Sequence, residues 1–281
     1  MAWLRLLFRL TAFGLFLLGT VLLTLSLLVI DTASGRRIDR TPWAQRCFRW
    51  ACQSLGLKIR VHGVIPETNA LTVSNHIGWT DIPILGSLTP VLFLSKAEVG
   101  AWPIIGWLAQ QAGTLFIKRG GGRARLVRQT IAEQLRDGKS VLVFPEGTTG
   151  EGRTVLPFHG LLLGAAAESR APIQPVTISY RRQGQPDPIA PFVGDDAFHS
   201  HLVRLLRQPA TRIDVLFHPA IHVKTESSTT DLARQLHDTV QAGLVEIQAG
   251  VFDHEQARDE HRAAPASAIR TEDGPAPSRL Q

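Results

Sequence analysis

The pattern of apolar and polar residues divides the chain into three parts. From Thr11 to Ile30 twenty consecutive residues carry no charge, and as a helix they match the roughly 30 Å hydrocarbon core of a bilayer. Beyond residue 40, apolar runs alternate with helical periodicity, and beyond residue 252 large apolar residues become scarce. We therefore predict a membrane anchor over residues 1–40, a folded domain over residues 41–252 and a disordered tail over residues 253–281.

Within the folded part, strand-like and helix-like segments alternate. The strand-like runs are Leu57–His62, Leu71–Val73, Val91–Leu94, Thr114–Ile117, Val141–Phe144, Pro175–Ser179 and Ile213–Phe217. The segments of helical periodicity are Asp81–Leu88, Arg123–Arg136, Gly160–Glu168 and Thr230–Ile247. This alternation predicts one α/β domain, with a central sheet flanked by helices.

The apolar segment has more arginines on its C-terminal side than on its N-terminal side. Two precede it and five follow it, namely Arg5 and Arg9, then Arg36, Arg37, Arg40, Arg46 and Arg49. The larger number of arginines on the C-terminal side predicts a cytoplasmic (inner) membrane protein with its domain on the cytoplasmic side. A cleaved signal peptide is the alternative, but its apolar region is usually about 7–15 residues long. Whether the helix spans the bilayer or lies in one leaflet stays open.

The net charge indicates which partners the protein could bind, and the two cysteines indicate whether it forms a disulfide or a metal site. A formal net charge of +6 and a pI of about 10.0 favour an anionic partner. Because no basic stripe is interleaved with aromatic residues, we expect membrane lipids and no nucleic acid. Cys47 and Cys52 lie five residues apart in a helix-like stretch, a poor geometry for a disulfide, and no further ligands nearby complete a metal site.

The stretch SNHIGWTD, residues 74–81, pairs His76 with Asp81 after a strand-like run. A carboxylate bonded to one imidazole nitrogen fixes the tautomer, which leaves the other nitrogen free to take a proton from an alcohol. The alternative for this spacing alone is a helix N-cap and a surface histidine.

Three further patterns follow strand-like runs or open one. FPEGTTG, residues 144–150, brings a carboxylate and backbone amides to a strand end, where α/β proteins bind ligands. GTLFIKR, residues 113–119, ends in two cations, and IQPV, residues 173–176, puts a proline at a strand start. Each has a simple alternative: an ordinary turn, solvated cations and an edge strand.

In this order, NHIGWTD, GTLFIKR, FPEGTTG and the Pro-Val strand start resemble the four motifs of the phospholipid and glycerol acyltransferase family, typified by 1-acylglycerol-3-phosphate acyltransferases. The resemblance spans about residues 70–180. It implies an α/β fold, attachment to a membrane and transfer of a fatty acyl chain in lipid biosynthesis. The donor would be a thioester, acyl-carrier protein or acyl-CoA, and the acceptor a lysolipid hydroxyl.

The resemblance implies that His76 is the general base and Asp81 its orienting partner. It implies substrate binding for the remaining matched residues, which are Asn75, Lys96, Arg119, Glu146, Gly147, Thr148 and Thr149. Direct transfer needs no acyl-enzyme, and the chain has no G-x-S-x-G elbow. With no H-E-x-x-H and no Walker-type loop, we expect neither a metal nor a nucleotide cofactor.

The acceptor remains open because Thr149 stands where the family usually has arginine. An arginine fork suits a phosphate, yet Arg119 and Lys96 remain available for 1-acyl-sn-glycerol-3-phosphate. The Gly-Thr-Thr form resembles the branch that acylates lyso-ornithine lipid, whose zwitterionic head group has no phosphate; Glu151 would hold its ammonium. A lipid hydrolase and a non-catalytic lipid-binding protein are further alternatives.

Overall fold

A computed structural model of the chain describes residues 1–66, 69–117, 124–223 and 228–253. The predicted tail beyond Asp253 and the predicted cation Arg119 lie outside these residues. Two helices open the chain, α1 (Ala2–Ser34) and α2 (Thr41–Leu55). The predicted apolar segment lies within α1, which is the one described helix long and apolar enough to cross a bilayer.

Eight strands form one sheet in the described part of the chain. They are β1 (Leu57–Gly63), β2 (Leu71–Ser74), β3 (Val91–Lys96), β4 (Leu115–Ile117), β5 (Ser140–Val143), β6 (Ile173–Arg182), β7 (Gln185–Pro186) and β8 (Thr211–Phe217). Their order is β1-β8-β6-β2-β5-β3-β4, with β7 hydrogen-bonded to β6. The strands from β6 through β4 pair in parallel, whereas β8 and β7 run antiparallel to β6.

Six further helices complete the fold. They are α3 (Asp81–Leu88), α4 (Ile105–Gln111), α5 (Ala124–Arg136), α6 (Gly164–Ser169), α7 (Phe198–Arg207) and α8 (Thr229–Gln248), with short 3₁₀ turns at Ala97–Ala101 and Leu161–Leu163. One apolar cluster packs α1, α2, α3 and α7 against the sheet, and a second packs α5, α6 and α8 against it. This architecture confirms the predicted α/β class, a sheet flanked by helices.

Cys47 and Cys52 are free and buried. Both lie in α2, where a spacing of five residues does not suit a disulfide.

The edge-strand alternative for Pro175 is wrong, because β6 is an interior strand between β8 and β2. Proline has no N–H for the ladder, and the position opposite it on the β8 side is His218, whose N–H donates to the Pro175 carbonyl over 3.1 Å. The side-chain amide of Gln174 donates to the His218 carbonyl over 2.6 Å. Gln174 thus supplies the donor that proline lacks, which makes an interior proline tolerable.

Helix α1 packs along the domain by one narrow stripe. Its buried residues are Leu6, Phe13, Thr20 and Leu27, spaced by seven. At one end Arg5 and Arg9 donate to the carbonyls of Arg207 and Gln208, over 3.0 and 2.8 Å, after the last turns of α7. At the other end Asp31 accepts from the Ile38 N–H and pairs with Arg40. Arg40 also donates to the side chain of Gln111 in α4 over 3.1 Å, so both ends of α1 are tied to the folded domain.

Candidate active site

The centre of the sheet brings two of the predicted motifs together. Strands β2 and β5 are parallel neighbours, with Val73 opposite Val143, so both chains leave the sheet at the same edge. The first leads into Asn75 and His76, and the second into the turn Phe144–Gly150. A crevice at the carboxyl ends of parallel strands is the usual ligand site of an α/β sheet.

His76 and Asp81 form a close pair at this edge. The imidazole Nδ1 lies 2.7 Å from Oδ2 of Asp81, and the imidazole is about one-fifth exposed while the carboxylate is fully buried. Asp81 is the first residue of α3, where the helix dipole favours negative charge. In the neutral imidazole, a proton on Nδ1 that is bonded to this carboxylate leaves Nε2 unprotonated, which is the form that a general base requires.

The plane of the imidazole is fixed by an aromatic ring. Phe144, the first residue after β5, stacks on His76 with ring centroids 3.9 Å apart and planes 12° from parallel. Asp81 holds the ring edge while Phe144 holds its face. Nε2 makes no hydrogen bond to any of the described residues, so it remains available to an acceptor hydroxyl.

Four donors converge on the Asp81 carboxylate. Oδ2 accepts from His76 and from the N–H groups of Ile77 and Gly78, over 2.7, 2.7 and 3.0 Å. Oδ1 accepts from the hydroxyl of Tyr180 over 2.5 Å. Tyr180 is absent from the sequence-based site, because nothing in the local pattern of β6 indicates a contact with a residue 99 positions away.

Glu146 ties the turn after β5 to the histidine. Its carboxylate accepts from the main-chain N–H of His76 over 3.0 Å, and the Gly150 N–H returns a bond to the His76 carbonyl over 2.8 Å. Burial raises the pKa of Glu146 from 4.5 to about 7, opposed by the N–H groups of His76 and Leu156 and reinforced by Asp81. The side chain faces the protein interior, which favours a positioning role.

Asn75 also faces inward. Its side-chain amide donates to the Ile178 carbonyl and accepts from the Ile178 N–H, both over 2.9 Å, and the residue is 2% exposed. With both polar groups bonded to β6, Asn75 fixes the loop that carries His76. The substrate-binding role that the resemblance implies for Asn75 stays a prediction.

The turn itself presents Gly147 and Thr148 to solvent, and Gly147 adopts a positive φ of 67° that favours glycine. Thr149 is half-buried, and its hydroxyl donates to the carbonyl of Phe192. The Thr149 side chain is therefore committed to the segment that precedes α7.

His201, on α7, holds that segment in place. Its Nε2 lies 3.0 Å from the Ile189 carbonyl, and its Nδ1 accepts from the indole of Trp79 over 3.0 Å. The Phe192 N–H donates to the Ile77 carbonyl over 2.9 Å. The sequence assigned no role to His201; the structure makes it a brace between Trp79 and the 189–192 segment, and burial lowers its pKa.

Of the two predicted cations, Lys96 lies toward one end of the sheet. Lys96 ends β3 and is exposed, opposite Ile117 at the end of β4. Because β3, β4 and β5 are parallel, Lys96 is at the same edge as the turn after β5. Its role in head-group binding stays a prediction, as does that of Arg119, which lies outside the described residues.

Most backbone amides near His76 are already bonded. The N–H groups of His76, Ile77 and Gly78 bind carboxylates, and that of Gly150 binds the His76 carbonyl. Stabilising a developing oxyanion therefore falls to other donors in the turn. Among the described residues, no three His, Cys, Asp or Glu side chains gather in a way that would hold a metal ion.

Comparison with known proteins agrees with this geometry. Residues 58–179 match the model of the Acyltransferase family. The chain is 47% identical over 251 residues to the lyso-ornithine lipid O-acyltransferase of Pseudomonas aeruginosa, covering 87% of this chain and 95% of that protein. It is 29% identical over 170 residues to the 1-acyl-sn-glycerol-3-phosphate acyltransferase of Neisseria gonorrhoeae, covering 59% and 67%.

The fold has a solved counterpart. The crystal structure of the 1-acyl-sn-glycerophosphate acyltransferase PlsC from Thermotoga maritima superposes with a TM-score of 0.63 and 21% identity, over 88% of this chain and 96% of that one. The resemblance drawn from the four motifs is confirmed. The chain therefore belongs to the acyltransferase family.

Proposed function

We propose that the protein moves a fatty acyl chain from an acyl thioester to the free hydroxyl of a lysolipid, and that this lysolipid is lyso-ornithine lipid. The observation that carries the chemistry is the His76–Asp81 pair, whose Nδ1 is held over 2.7 Å while Nε2 is unpaired among the described residues. A lipid-binding protein without activity has no use for such a pair.

The reaction follows from these positions. Nε2 of His76 takes the proton of the acceptor hydroxyl as its oxygen attacks the thioester carbonyl. The carbonyl oxygen becomes an oxyanion, for which the turn amides of Thr148 and Thr149 are the candidate donors. When the intermediate collapses, the C–S bond breaks and the imidazolium returns its proton to the leaving thiolate. The donor is acyl-carrier protein or acyl-CoA, and no cofactor takes part.

Three observations support lyso-ornithine lipid over a phosphate-bearing acceptor. Thr149 replaces an arginine fork, and its hydroxyl is bonded to the Phe192 carbonyl. Two residues further on, the exposed side chains of Glu151 and Arg153 lie 3.8 Å apart. Such a pair complements a head group that carries both a carboxylate and an ammonium. The 47% identical relative is named for this acceptor.

We also propose that α1 lies along the cytoplasmic face of the membrane, with its exposed apolar residues in one leaflet. The rise of about 1.5 Å per residue puts about 33 Å between Arg9 and Asp31, which is the thickness of a hydrocarbon core. Arg9 donates to the carbonyl of Gln208, and Asp31 pairs with Arg40, which in turn donates to the side chain of Gln111 in α4. Both ends of α1 are thus tied to the same folded domain, and a bilayer between them would prevent this. The exposed residues Leu4, Phe8, Leu15, Leu18, Leu22, Leu25 and Val29 form the opposite stripe.

The acceptor is tested with full-length protein in lipid vesicles, offered lyso-ornithine lipid and 1-acylglycerol-3-phosphate side by side with each donor. We expect wild type to prefer lyso-ornithine lipid, and Thr149→Arg to shift preference toward the phosphate. Thr154→Arg, at an exposed threonine further along the same loop, is the matched control. Wild-type preference for the phosphate would refute the acceptor, and release of free fatty acid without any acceptor would indicate a hydrolase.

The orientation of α1 is tested by labelling. Because Cys47 and Cys52 are buried, an impermeant maleimide should react selectively with cysteines introduced at Trp3 and at Ser34. We expect both sites to react in inverted inner-membrane vesicles and neither in intact spheroplasts. Labelling of the two sites from opposite faces would show that α1 spans the bilayer.

A further inference from the structure

The hydroxyl of Tyr180 lies behind the catalytic pair, on the side of Asp81 away from His76. It is the sole tyrosine of the chain and is 3% exposed. It donates to Oδ1 of Asp81 over 2.5 Å and lies 2.8 Å from the hydroxyl of Thr80. Thr80, Tyr180, Asp81 and His76 thus form one continuous hydrogen-bonded chain, which ends at Nε2 of His76, an atom without a partner among the described residues.

The two carboxylate oxygens of Asp81 have different partners. Oδ2 is shared by the imidazole and two main-chain N–H groups, whereas the described partner of Oδ1 is Tyr180. Without that hydroxyl, Oδ1 would be a fully buried carboxylate oxygen without a donor, which is costly. Oδ2 would still accept from the two main-chain N–H groups, but with three donors in place of four the orientation of the carboxylate toward Nδ1 would be less firmly fixed.

Tyr180 is also suited to remain a donor. Burial, and after it the negative charge of Asp81, raise the pKa of this phenol well above its ordinary value of 10. The same strand supports the histidine loop a second way, since the main chain of Ile178 holds the amide of Asn75. Strand β6 therefore braces both sides of His76, by contacts that reach residues 75 and 81.

We propose that Tyr180 is a positioning residue of the acyl transfer, which orients the Asp81 carboxylate and thereby sets the tautomer and basicity of His76. This inference rests on the role of His76 as general base. Tyr180 touches neither acceptor nor donor, so its effect appears in turnover and in the pH profile, and not in substrate affinity.

The titratable groups around this chain are few among the described residues. Asp81, at the start of α3, and the Cys52 thiol of α2 face the phenol of Tyr180. Asp81 faces the imidazole of His76, and Glu146 faces the same residue from the turn after β5 through its main-chain N–H. Burial raises the pKa of Tyr180 well above its ordinary value and that of Cys52 to about 12, so a pH response of these four hydrogen-bonded residues near neutral pH is assigned among His76, Glu146 and Asp81.

The kinetic test compares Tyr180→Phe with Ser179→Ala in full-length protein. Ser179 is the neighbouring residue of β6, and its buried hydroxyl makes no hydrogen bond within the described residues, so it controls for removing a hydroxyl from this strand. We expect Tyr180→Phe to lower kcat about tenfold to a hundredfold, with KM for the lysolipid little changed. Without the phenol as a donor, more of the negative charge of Asp81 is available to stabilise the imidazolium of His76. The acid limb of the kcat/KM profile should therefore move to higher pH.

A spectroscopic test needs no change at Tyr180. With tyrosine labelled by ¹³C at the ring carbon that bears the hydroxyl, the protein gives a single resonance. We expect its shift to follow pH with the midpoint of the acid limb, to keep that midpoint in Glu146→Gln and to lose the response in His76→Ala. This measurement tests the positioning role of Tyr180 even if Tyr180→Phe fails to fold.

The outcomes separate the two claims. Activity and a pH profile in Tyr180→Phe equal to those of Ser179→Ala would overturn the positioning role, and so would a resonance that does not follow pH. A loss of kcat with an unmoved acid limb would reduce Tyr180 to a packing residue. If His76→Ala retains turnover, the general-base assignment itself fails, whatever Tyr180 does.

Discussion

Replacing Glu146 by glutamine removes a carboxyl group from the interior of the site with little change in shape. The carboxyl is 5% exposed and accepts from the main-chain N–H of His76 over 3.0 Å. One glutamine oxygen is able to accept this bond at every pH. The variant therefore tests the charge of Glu146 more than its contacts.

The size of the effect follows from the pKa of Glu146, which burial raises from 4.5 to about 7. Between these values the folded protein holds a proton that the unfolded chain releases, so stability falls as pH rises from 4.5 through 7. At about 1.36 kcal/mol for each pH unit, the loss approaches 3 kcal/mol above pH 7. Glutamine has no such loss.

The assay is thermal unfolding in one detergent, followed by tryptophan fluorescence from pH 4.5 to 8. For a chain of this length, about 3 kcal/mol corresponds to roughly 6–12 °C in Tm. We expect Glu146→Gln to gain that much relative to wild type between the two ends of the range. Glu151→Gln, an exposed carboxyl in the same loop, should show no such gain.

A constant difference in Tm between wild type and Glu146→Gln across this range would refute the reasoning. It would mean that the carboxylate is as well stabilised in the folded protein as in water. If the Tm of Glu146→Gln rose relative to wild type at acid pH and not at neutral pH, the pKa of Glu146 would have to be lowered on folding. That is the opposite of the shift that burial causes.

Three further variants test other parts of the structure. His76→Ala should lose about 10²–10⁴-fold in turnover yet stay with the membrane fraction, and Asp81→Asn should be nearly as inactive; rates within a few-fold of wild type would contradict the mechanism. Asn75→Ala should lower stability by about 3 kcal/mol, since it strands two buried backbone groups of β6, and an unchanged Tm would refute this. Gly243→Ala should cost about 1–3 kcal/mol, because its Cβ would lie 2.6 Å from the ring of His218; an equal or higher Tm would contradict that packing.

Most strands of the sheet could be predicted from the sequence, because each buried strand is a short apolar run bounded by turns. The seven predicted strands are all present, and the His76 and Glu146 motifs lie at adjacent strand ends, as parallel pairing requires. Helix α7 is absent from the prediction, although Phe198, Leu202, Leu205 and Leu206 have helical spacing.

What could not be predicted depends on contacts between distant segments. No local pattern shows that Tyr180 meets Asp81, or that the Thr149 hydroxyl is bonded to Phe192. Pro175 looked like an edge residue because proline lacks a donor, and only the sheet reveals that the Gln174 amide replaces it. Such substitutions of one donor for another are properties of the folded chain.

The reciprocal bonds between His76 and the turn after β5 have a consequence for how acceptor preference can change. The His76 N–H donates to Glu146 while the Gly150 N–H donates to the His76 carbonyl, so the loop that we propose to select the acceptor also fixes the position of His76. The two segments should therefore function only as a matched pair. A chimera between relatives with different acceptors should keep its activity when residues 71–81 and 140–158 come from the same parent, and lose it when a crossover separates them.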